Sequence, residues 1–383
     1  MTLHGAPWLP ASIRLSGLTA AAALLLAAPL AAQAHAPARN AGRLVAPDSV
    51  TRVIPARMRE LGVPGASVTV IRGGKVVLSR GFGLADVELA VPGSNTTRYR
   101  VGSIAKSFTA MAIGILVDEG KLDLDAEVQR YVPTFPRKPW PVTVRELAGH
   151  LSGIRHYGPG EFENQRYYPT LLEGLTMFQA DSLLFEPGTQ FGYSSFGYNL
   201  LGAVIEAAGG VPYLQFMKQR VFLPLGMTAT VPDFADSVIV NRANFYVGPD
   251  SGTPLLNAPY VDVSYKWPSG GFLSTTDDLA RFGQAMLDGK LLKPATRDLL
   301  WTPMHTNDGK STGYGIGWNI QADSLGRRRI FHTGGSMGAI SILAVYPEQR
   351  LVVAITDNSD HSLNALAARL AAWYAAAAKA GGR

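Results

Sequence analysis

The sequence predicts a mixed α/β (α+β) fold in which both ends of the chain build one domain and the middle is inserted into it. Strand-like patterns lie near both termini, whereas the region from about 121 to 300 consists of helical patterns separated by long loops. We therefore predict an antiparallel sheet formed by residues 43–125 and 305–383 and flanked by terminal helices. Residues 126–304 form a large, mainly helical insertion in this prediction.

The predicted elements follow one another along the chain. A helix starts near Asp48, and two β-branched runs around the glycine pair 73–74 form a hairpin. The glycine-rich stretch 81–93 is expected to run through loops to residue 103, where a buried apolar helix begins and continues to Gly120. The remaining predicted elements are helices at 195–208, 212–221 and 276–287, strands at 328–331, 340–346 and 351–356, and a closing alanine-rich helix at 360–378.

Composition and charge exclude several functional classes for this chain. The chain has 383 residues, of which 47% are hydrophobic and 17% charged, and its net charge is +6, which is typical of a globular protein. The arginine run at 327–329 is interpreted as a solvated hairpin, and no nucleic-acid-binding motif accompanies it, so nucleic acid is not an expected partner. The absence of cysteine excludes disulfides, thiol catalysis and cysteine-ligated zinc.

The first residues have the pattern of an export signal. Arg14 precedes an apolar stretch that is interrupted by Pro29, and Ala32 and Ala34 form a small-x-small cleavage pattern. We expect a cleavable signal peptide at 1–34 and therefore a periplasmic or secreted protein without a stable membrane anchor. An uncleaved anchor is the alternative.

Ser103 and Lys106 lie three residues apart at the start of the predicted buried helix. Positions i and i+3 share one helix face, so the hydroxyl and the amine are expected to project side by side. A neutral lysine can remove a serine proton, and burial or a nearby positive charge favours the neutral form. The free N–H groups of a first helical turn suit an oxyanion. Ser103 is therefore a candidate nucleophile and Lys106 its proton-handling partner.

Two further stretches accompany this pair in the sequence. The stretch 193–202 (YSSFGYNLLG) places a tyrosine where a helix begins, and 332–335 (HTGG) lies between two predicted strands. In this order the three motifs resemble those of the serine beta-lactamase-like and penicillin-binding family, with its class C beta-lactamases, D-alanyl-D-alanine carboxypeptidases and esterases. The stretches 151–157 and 185–191 are most similar to its mitochondrial serine beta-lactamase-like branch. The resemblance implies a beta-lactamase/transpeptidase-like fold.

The resemblance also implies an acyl-enzyme mechanism with assigned residues. Ser103 would be the nucleophile, Lys106 would share its proton, and Tyr193, as a phenolate, would be the general base. The backbone N–H groups of Ser103 and Gly335 would form the oxyanion hole. No cofactor and no metal are implied. The remaining substrate-binding candidates are Ser195, His332, Thr333 and Gly334.

Two positions depart from the usual family motifs. Ser195 stands where asparagine is usual and His332 where lysine is common, so we expect a weak grip on a beta-lactam side chain and pH-dependent recognition of a carboxylate. We therefore predict a peptidase- or esterase-like serine hydrolase whose partner is a small-molecule or peptide substrate, peptidoglycan-derived fragments included. A true class C-type beta-lactamase is one alternative. A non-catalytic peptidoglycan-binding or self-assembling scaffold is the alternative from another class.

A second serine pattern competes with Ser103. The stretch 334–338 (GGSMG) matches the G-x-S-x-G nucleophile elbow, and Asp357 and His361 follow Ser336 in the order found in α/β-hydrolases. The elbow requires a helix after the serine, whereas strand-like residues follow Ser336, which argues against this reading. A metal hydrolase is disfavoured because the histidines lack a ligand spacing such as H-E-x-x-H.

Overall fold

The computed structural model describes residues 47–248 and 254–380, so the predicted signal peptide at 1–34 lies outside the described residues. Within the described ranges, no single helix is long and apolar enough to span a membrane. The bent pair Ser195–Gly209 and Tyr213–Phe222 meets that length and composition test only when its two parts are taken together.

The α-helices of the described chain are α1 (Pro47–Leu61), α2 (Ala105–Asp118), α3 (Val144–Ala148), α4 (Leu171–Leu175), α5 (Ser195–Gly209), α6 (Tyr213–Phe216), α7 (Trp267–Gly270), α8 (Thr276–Asp288), α9 (Pro294–Leu300) and α10 (Ala365–Ala380). The strands are β1 (Gly65–Arg72), β2 (Lys75–Asp86), β3 (Val91–Pro92), β4 (Tyr99–Arg100), β5 (Val231–Pro232), β6 (Tyr246–Val247), β7 (Leu256–Asn257), β8 (Phe272–Ser274), β9 (Asn319–Ala322), β10 (Arg328–Ser336), β11 (Ala339–Tyr346) and β12 (Leu351–Asp357).

The largest sheet has seven strands in the order β3-β2-β1-β12-β11-β10-β9, and all of its pairings are antiparallel. The two ends of the chain meet in this sheet because β1 pairs with β12, with Val68 opposite Ile355. The predicted antiparallel sheet built from both ends is therefore confirmed. The domain boundaries predicted at 125 and 305 stay a proposal.

Helices cover both faces of the sheet, and the side chains of β12 contribute to the apolar core on each face. Successive side chains of a strand point to opposite faces. Val352 and Ala354 belong to the apolar core that contains α2, whereas Val353 and Ile355 belong to the core that contains the inner faces of α1 and α10. The prediction that terminal helices flank the sheet is confirmed, and burial on both faces explains why this strand is apolar throughout.

Helix α2 holds a fixed position because every residue from Ala105 to Leu116 is buried. A helix that is apolar on all sides belongs in the interior. Its Phe108 ring makes edge-to-face contacts at centroid distances of 5.3, 6.1 and 4.9 Å, with Phe222, Phe272 and Phe282 respectively. The residues at the start of α2 are thus attached to a rigid support, which is a requirement for a precise site.

Three predicted boundaries were wrong. The glycines at 81 and 83 lie within β2 instead of a loop, and Gly81 is needed there because a Cβ atom would lie 2.3 Å from the backbone of Gly93. The stretch 332–335 lies inside β10, paired with β11, instead of between strands. The closing helix begins at Ala365 and not at Asp360.

Candidate active site

Ser103 lies in a 3₁₀ turn, Gly102–Ile104, directly before α2. The backbone of β10 packs against this turn. Gly102 has φ of 49°, and a Cβ atom there would lie 2.6 Å from the carbonyl oxygen of Gly335. A Cβ atom at Gly334 would lie 1.9 Å from the carbonyl oxygen of Val101. Only glycine allows this approach, which brings the backbone of Gly335 beside Ser103, as the predicted oxyanion hole requires.

The Lys106 ammonium nitrogen is surrounded by three oxygen atoms. Its Nζ lies 3.0 Å from Ser103 Oγ, 3.0 Å from Ser195 Oγ and 2.8 Å from the backbone oxygen of Ser269. The side chain is fully buried and has no carboxylate partner in the part of the chain that the structure describes. The two motif residues of the i, i+3 pair therefore meet as predicted.

The protonation state of Lys106 follows from this environment. Burial lowers the pKa of its amine well below the ordinary lysine value, and the positive charge of Lys266 lowers that pKa further. A neutral amine has two N–H groups and one lone pair. It can donate to the Ser269 carbonyl and to Ser195 Oγ while its lone pair accepts the Ser103 O–H. The three contacts can be made by an ammonium that donates to all three oxygens or by a neutral amine that accepts from Ser103, and the lowered pKa favours the neutral amine.

Tyr193 also reaches the site, but not in the expected ionisation state. Its ring packs 4.3 Å from the His150 ring, and Lys106 Nζ lies 5.0 Å from its centroid. Desolvation raises the pKa of the Tyr193 phenol above its ordinary value, although a hydrogen bond with Ser103 opposes this shift. The phenolate implied by the resemblance therefore does not hold for the resting site. The Tyr193 phenol is protonated there, and Lys106 is the group whose neutral form burial favours.

Ser195 is the first residue of α5, whose N-cap is Ser194. Its hydroxyl oxygen contacts Lys106, and its backbone N–H donates to His156 Nδ1 over 3.1 Å. Because Nδ1 accepts that bond, the proton of the neutral His156 ring lies on Nε2. Desolvation lowers the pKa of His156 to about 4, and the positive charge of Lys266 contributes to this shift, so the ring is neutral at neutral pH.

His332 does not bind substrate in the way that was predicted. It is 2% exposed, its Nδ1–H donates to the Thr333 carbonyl over 2.6 Å, and its Nε2 accepts the Tyr314 O–H over 3.0 Å. Burial lowers the pKa of His332 to about 3. The expectation of a pH-dependent cation for a carboxylate was wrong, because this ring is neutral and turned into the protein. The partly buried Thr333 and the buried Gly334 shape β10 and do not line the cleft.

A cleft of about 340 Å³ opens above Ser103. Sequence reasoning placed Ser103, Ser195 and Gly335 in it but missed other members of its lining. Lysines and tyrosines in irregular segments carry no periodic signal that marks them as buried. A larger, apolar cavity of about 650 Å³ near Phe222 contains none of the predicted site residues. The cleft residues that were missed are His156, Tyr157, Phe162, Lys266, Ser269, Gly270 and Ile340.

The competing elbow is not assembled. Ser336 ends β10 and is followed by the turn to β11, and its hydroxyl is buried without a hydrogen-bond partner in the described residues. Asp357 accepts the backbone N–H groups of Ile340 and Ser359 instead of a histidine. No base is therefore in contact with Ser336. No group of three metal-ligating side chains occurs within the described ranges either.

Comparison with known proteins agrees with this geometry. The family described as Beta-lactamase matches residues 50–378. The mitochondrial serine beta-lactamase-like protein LACTB of Homo sapiens is 37% identical over 76% of this chain and 70% of its own length. Among solved structures, the octameric penicillin-binding protein homologue from Pyrococcus abyssi is 29% identical and superposes with a TM-score of 0.73 over 88% of this chain and 78% of that chain.

A second solved structure has a different described activity. The D-stereospecific amidohydrolase from Streptomyces sp. is 27% identical and superposes with a TM-score of 0.72 over 84% of this chain and 97% of that chain. The predicted family and its beta-lactamase/transpeptidase-like fold are confirmed by these matches. The chain therefore belongs to the Beta-lactamase family, which is a family of serine hydrolases.

Proposed function

We propose that this protein hydrolyses esters or peptides through an acyl-enzyme on Ser103. One observation carries the proposal. Lys106 is buried without a counter-ion in the described chain, and its Nζ lies 3.0 Å from Ser103 Oγ at the floor of a cleft. A depressed lysine pKa beside a serine hydroxyl is what activates a weak nucleophile at neutral pH.

In the acylation step, the Lys106 amine takes the Ser103 proton while Oγ attacks the substrate carbonyl carbon. The new Oγ–C bond puts negative charge on the carbonyl oxygen, beside the backbone of Ser103 and Gly335. Tyr193 then gives its phenolic proton to the leaving group as the bond from carbon to that group breaks. The Lys106 ammonium reprotonates Tyr193, so the proton removed from Ser103 ends on the leaving group and the amine is neutral again.

Deacylation reverses these roles with water as the nucleophile. The neutral Lys106 amine accepts a proton from water while the water oxygen attacks the acyl carbon. When the bond between that carbon and Ser103 Oγ breaks, the proton returns to Oγ, and the acid product leaves. Both steps need Lys106 in its neutral form at the start, which its burial supplies.

The substrate is proposed to be a small ester or a peptide, peptidoglycan-derived peptides included. Ser195 has a single hydroxyl, whereas the asparagine that is usual at this position has an amide with two N–H donors and an acceptor for a beta-lactam side chain. The Ser195 hydroxyl also already contacts Lys106. The buried, neutral His332 supplies no cation to a beta-lactam carboxylate. The amidohydrolase described as D-stereospecific is in keeping with amide substrates. The signal pattern at 1–34 supports a periplasmic or secreted location in this proposal.

We expect the protein to hydrolyse a p-nitrophenyl ester or a D-alanyl peptide at least about 100-fold more efficiently, in kcat/KM, than nitrocefin. The reason is that ester cleavage depends mainly on nucleophile and oxyanion hole, whereas a beta-lactam must also be held by its side chain and carboxylate. Steady-state rates on the three substrates check this, with the Ser103→Ala variant as background. Nitrocefin turnover of about 10 to 10³ per second would instead identify an efficient beta-lactamase.

A fluorescent fluorophosphonate separates the enzyme from a scaffold. The proposal requires stoichiometric labelling of the unmodified protein, with the label on the peptide that contains Ser103. A folded protein that takes up no label would support the non-catalytic scaffold and contradict the proposal.

A further inference from the structure

Lys266 is a second buried lysine at the cleft. It ends the 3₁₀ turn Ser264–Lys266, just before α7, and is 3% exposed. It lines the same cleft as Ser103 and Ser195. Within the described residues its Nζ has no hydrogen-bond or ion-pair partner. A buried ammonium without a partner costs free energy, so its retention requires an explanation.

Aromatic rings surround this ammonium. Lys266 Nζ lies 4.3 Å from the ring centroid of Phe162, 5.3 Å from that of Tyr265 and 5.7 Å from that of Tyr157. Ring faces attract a cation, which helps to keep it in an apolar wall. They do not neutralise its charge, and they cannot accept all three of its N–H groups. The donors of Lys266 are therefore left for something that enters the cleft.

The acidic residues near Lys266 already form ion pairs with arginines. Asp233 binds Arg100 over 2.8 Å and Arg242 over 3.2 Å, and Glu161 binds Arg155 over 2.6 Å. The titratable groups that share its cleft wall, His156 and Tyr157, are neutral at neutral pH, and burial favours the neutral form of Lys106. No residue that lines the cleft in the described chain carries a carboxylate. When Lys266 is protonated, the cleft therefore holds a positive charge with no carboxylate among its lining residues.

The pKa of Lys266 is lowered to about 7, first by burial and then by the charge of Arg100, while Asp233 opposes the shift. An anion bound at Nζ would favour the ammonium form and offset the cost of burial. A protonated Lys266 also depresses the pKa of Lys106. The same group can therefore hold a substrate and keep the base neutral.

We infer that Lys266 binds a carboxylate on the acyl part of the substrate, an inference that rests on the proposed acyl-enzyme at Ser103. His332 stands where lysine is common in the family motif, and its buried ring supplies no cation. In this inference Lys266, which lines the cleft, supplies the positive charge instead. The substrate class becomes an ester or peptide whose acyl group carries a second, free carboxylate, as in dicarboxylic half-esters and acidic peptides.

The test compares substrates that differ only in this charge. Mono-p-nitrophenyl adipate and pimelate are paired with p-nitrophenyl hexanoate and heptanoate, which have the same chain lengths. We expect the unmodified protein to prefer the charged member of a pair by about tenfold or more in kcat/KM, since a hydrogen-bonded charge pair in a desolvated site is strong. The Lys266→Met variant is expected to lose this preference, and Lys266→Arg to keep part of it.

The ratio of kcat/KM for the charged and the uncharged substrate reports on carboxylate binding alone. Any effect of Lys266 on the pKa of Lys106 alters both rates equally and cancels in this ratio. The exposed Lys310→Met is the matched control and should leave the ratio unchanged. The inference is overturned if the unmodified protein shows no preference for the charged substrate. It is also overturned if a folded Lys266→Met variant lowers both rates by the same factor.

A binding measurement keeps this inference separable from the proposed function. Calorimetric titration of the Ser103→Ala protein with monomethyl adipate should give a Kd about tenfold lower than titration of the Ser103→Ala, Lys266→Met protein. Equal affinities would contradict the anion site even if Ser103 proves to be the nucleophile. A tenfold difference together with no Ser103 labelling would keep the site and refute the enzymatic proposal.

Discussion

Replacing Ser103 by alanine is expected to lower ester turnover by at least about three orders of magnitude, because only the oxyanion and binding contributions remain. The variant should fold normally. Ser103 is partly exposed and its hydroxyl is one of three oxygen contacts of Lys106, so its loss leaves the Ser195 and Ser269 contacts in place. Steady-state kinetics on a p-nitrophenyl ester, with thermal melting to confirm folding, measure the effect.

The matched control is Ser336→Ala, which removes the buried hydroxyl of a serine that lies beside Gly335 and also lines the cleft. Among the described residues the Ser336 hydroxyl has no hydrogen-bond partner, so we expect a rate within about threefold of the unmodified protein. A folded Ser103→Ala variant with near-normal turnover would contradict the role of Ser103 as the nucleophile. A larger loss of turnover in Ser336→Ala than in Ser103→Ala would assign that role to Ser336.

Lys106 and Tyr193 are expected to behave as one proton-handling unit. Lys106→Met keeps the volume of a fully buried side chain and removes the amine, and Tyr193→Phe removes only the phenolic hydroxyl. Each single change should cost about 10²- to 10⁴-fold in turnover, the usual size of a general acid–base contribution. Groups that act in sequence on the same proton give non-additive losses, so the double variant should be little slower than the worse single variant.

The four proteins of this cycle are compared by kcat/KM on one ester at one pH, with Tyr213→Phe as a control. Tyr213 is a buried tyrosine that bonds to Thr109 of α2 and lies outside the cleft. Loss of its hydroxyl affects packing near α2 without touching the proton path. Additive losses in log rate for Lys106 and Tyr193 would show that the two residues have independent roles, contrary to the mechanism.

Sequence alone located the chemistry because its signals are local. The spacing of Ser103 and Lys106 sets their common helix face, and Ser194 is a typical N-cap that fixes where α5 begins. Beta-branched runs that flank clear turns likewise predicted the sheet from both ends of the chain. Where glycine replaces those residues, as at Gly334 and Gly335 inside β10, the strand signal disappears although the pairing continues.

Ionisation states could not be predicted because they depend on residues far apart in the chain. His332 is neutral because burial disfavours its charged form, and its Nε2 accepts the Tyr314 O–H. Tyr193 is protonated because surrounding rings, that of His150 among them, remove water from it. Lys266 is buried by a tertiary arrangement that no periodicity reveals. The family resemblance therefore implied a phenolate and a histidine cation, whereas in the structure the Tyr193 phenol and the buried His332 ring are both neutral.

The rate at which a fluorophosphonate modifies Ser103, measured as a function of pH, tests the neutral Lys106 most directly. The reaction needs the unprotonated amine, so the rate rises with pH through the pKa of Lys106 and then stays level. Because that pKa lies well below the ordinary lysine value, the account predicts that the plateau is already reached well below pH 10. Lys266→Met should move the rise to higher pH, since it removes a positive charge that depresses this pKa. A rate that keeps rising to about pH 10, as for an ordinary lysine, would contradict a buried, neutral Lys106 as the base.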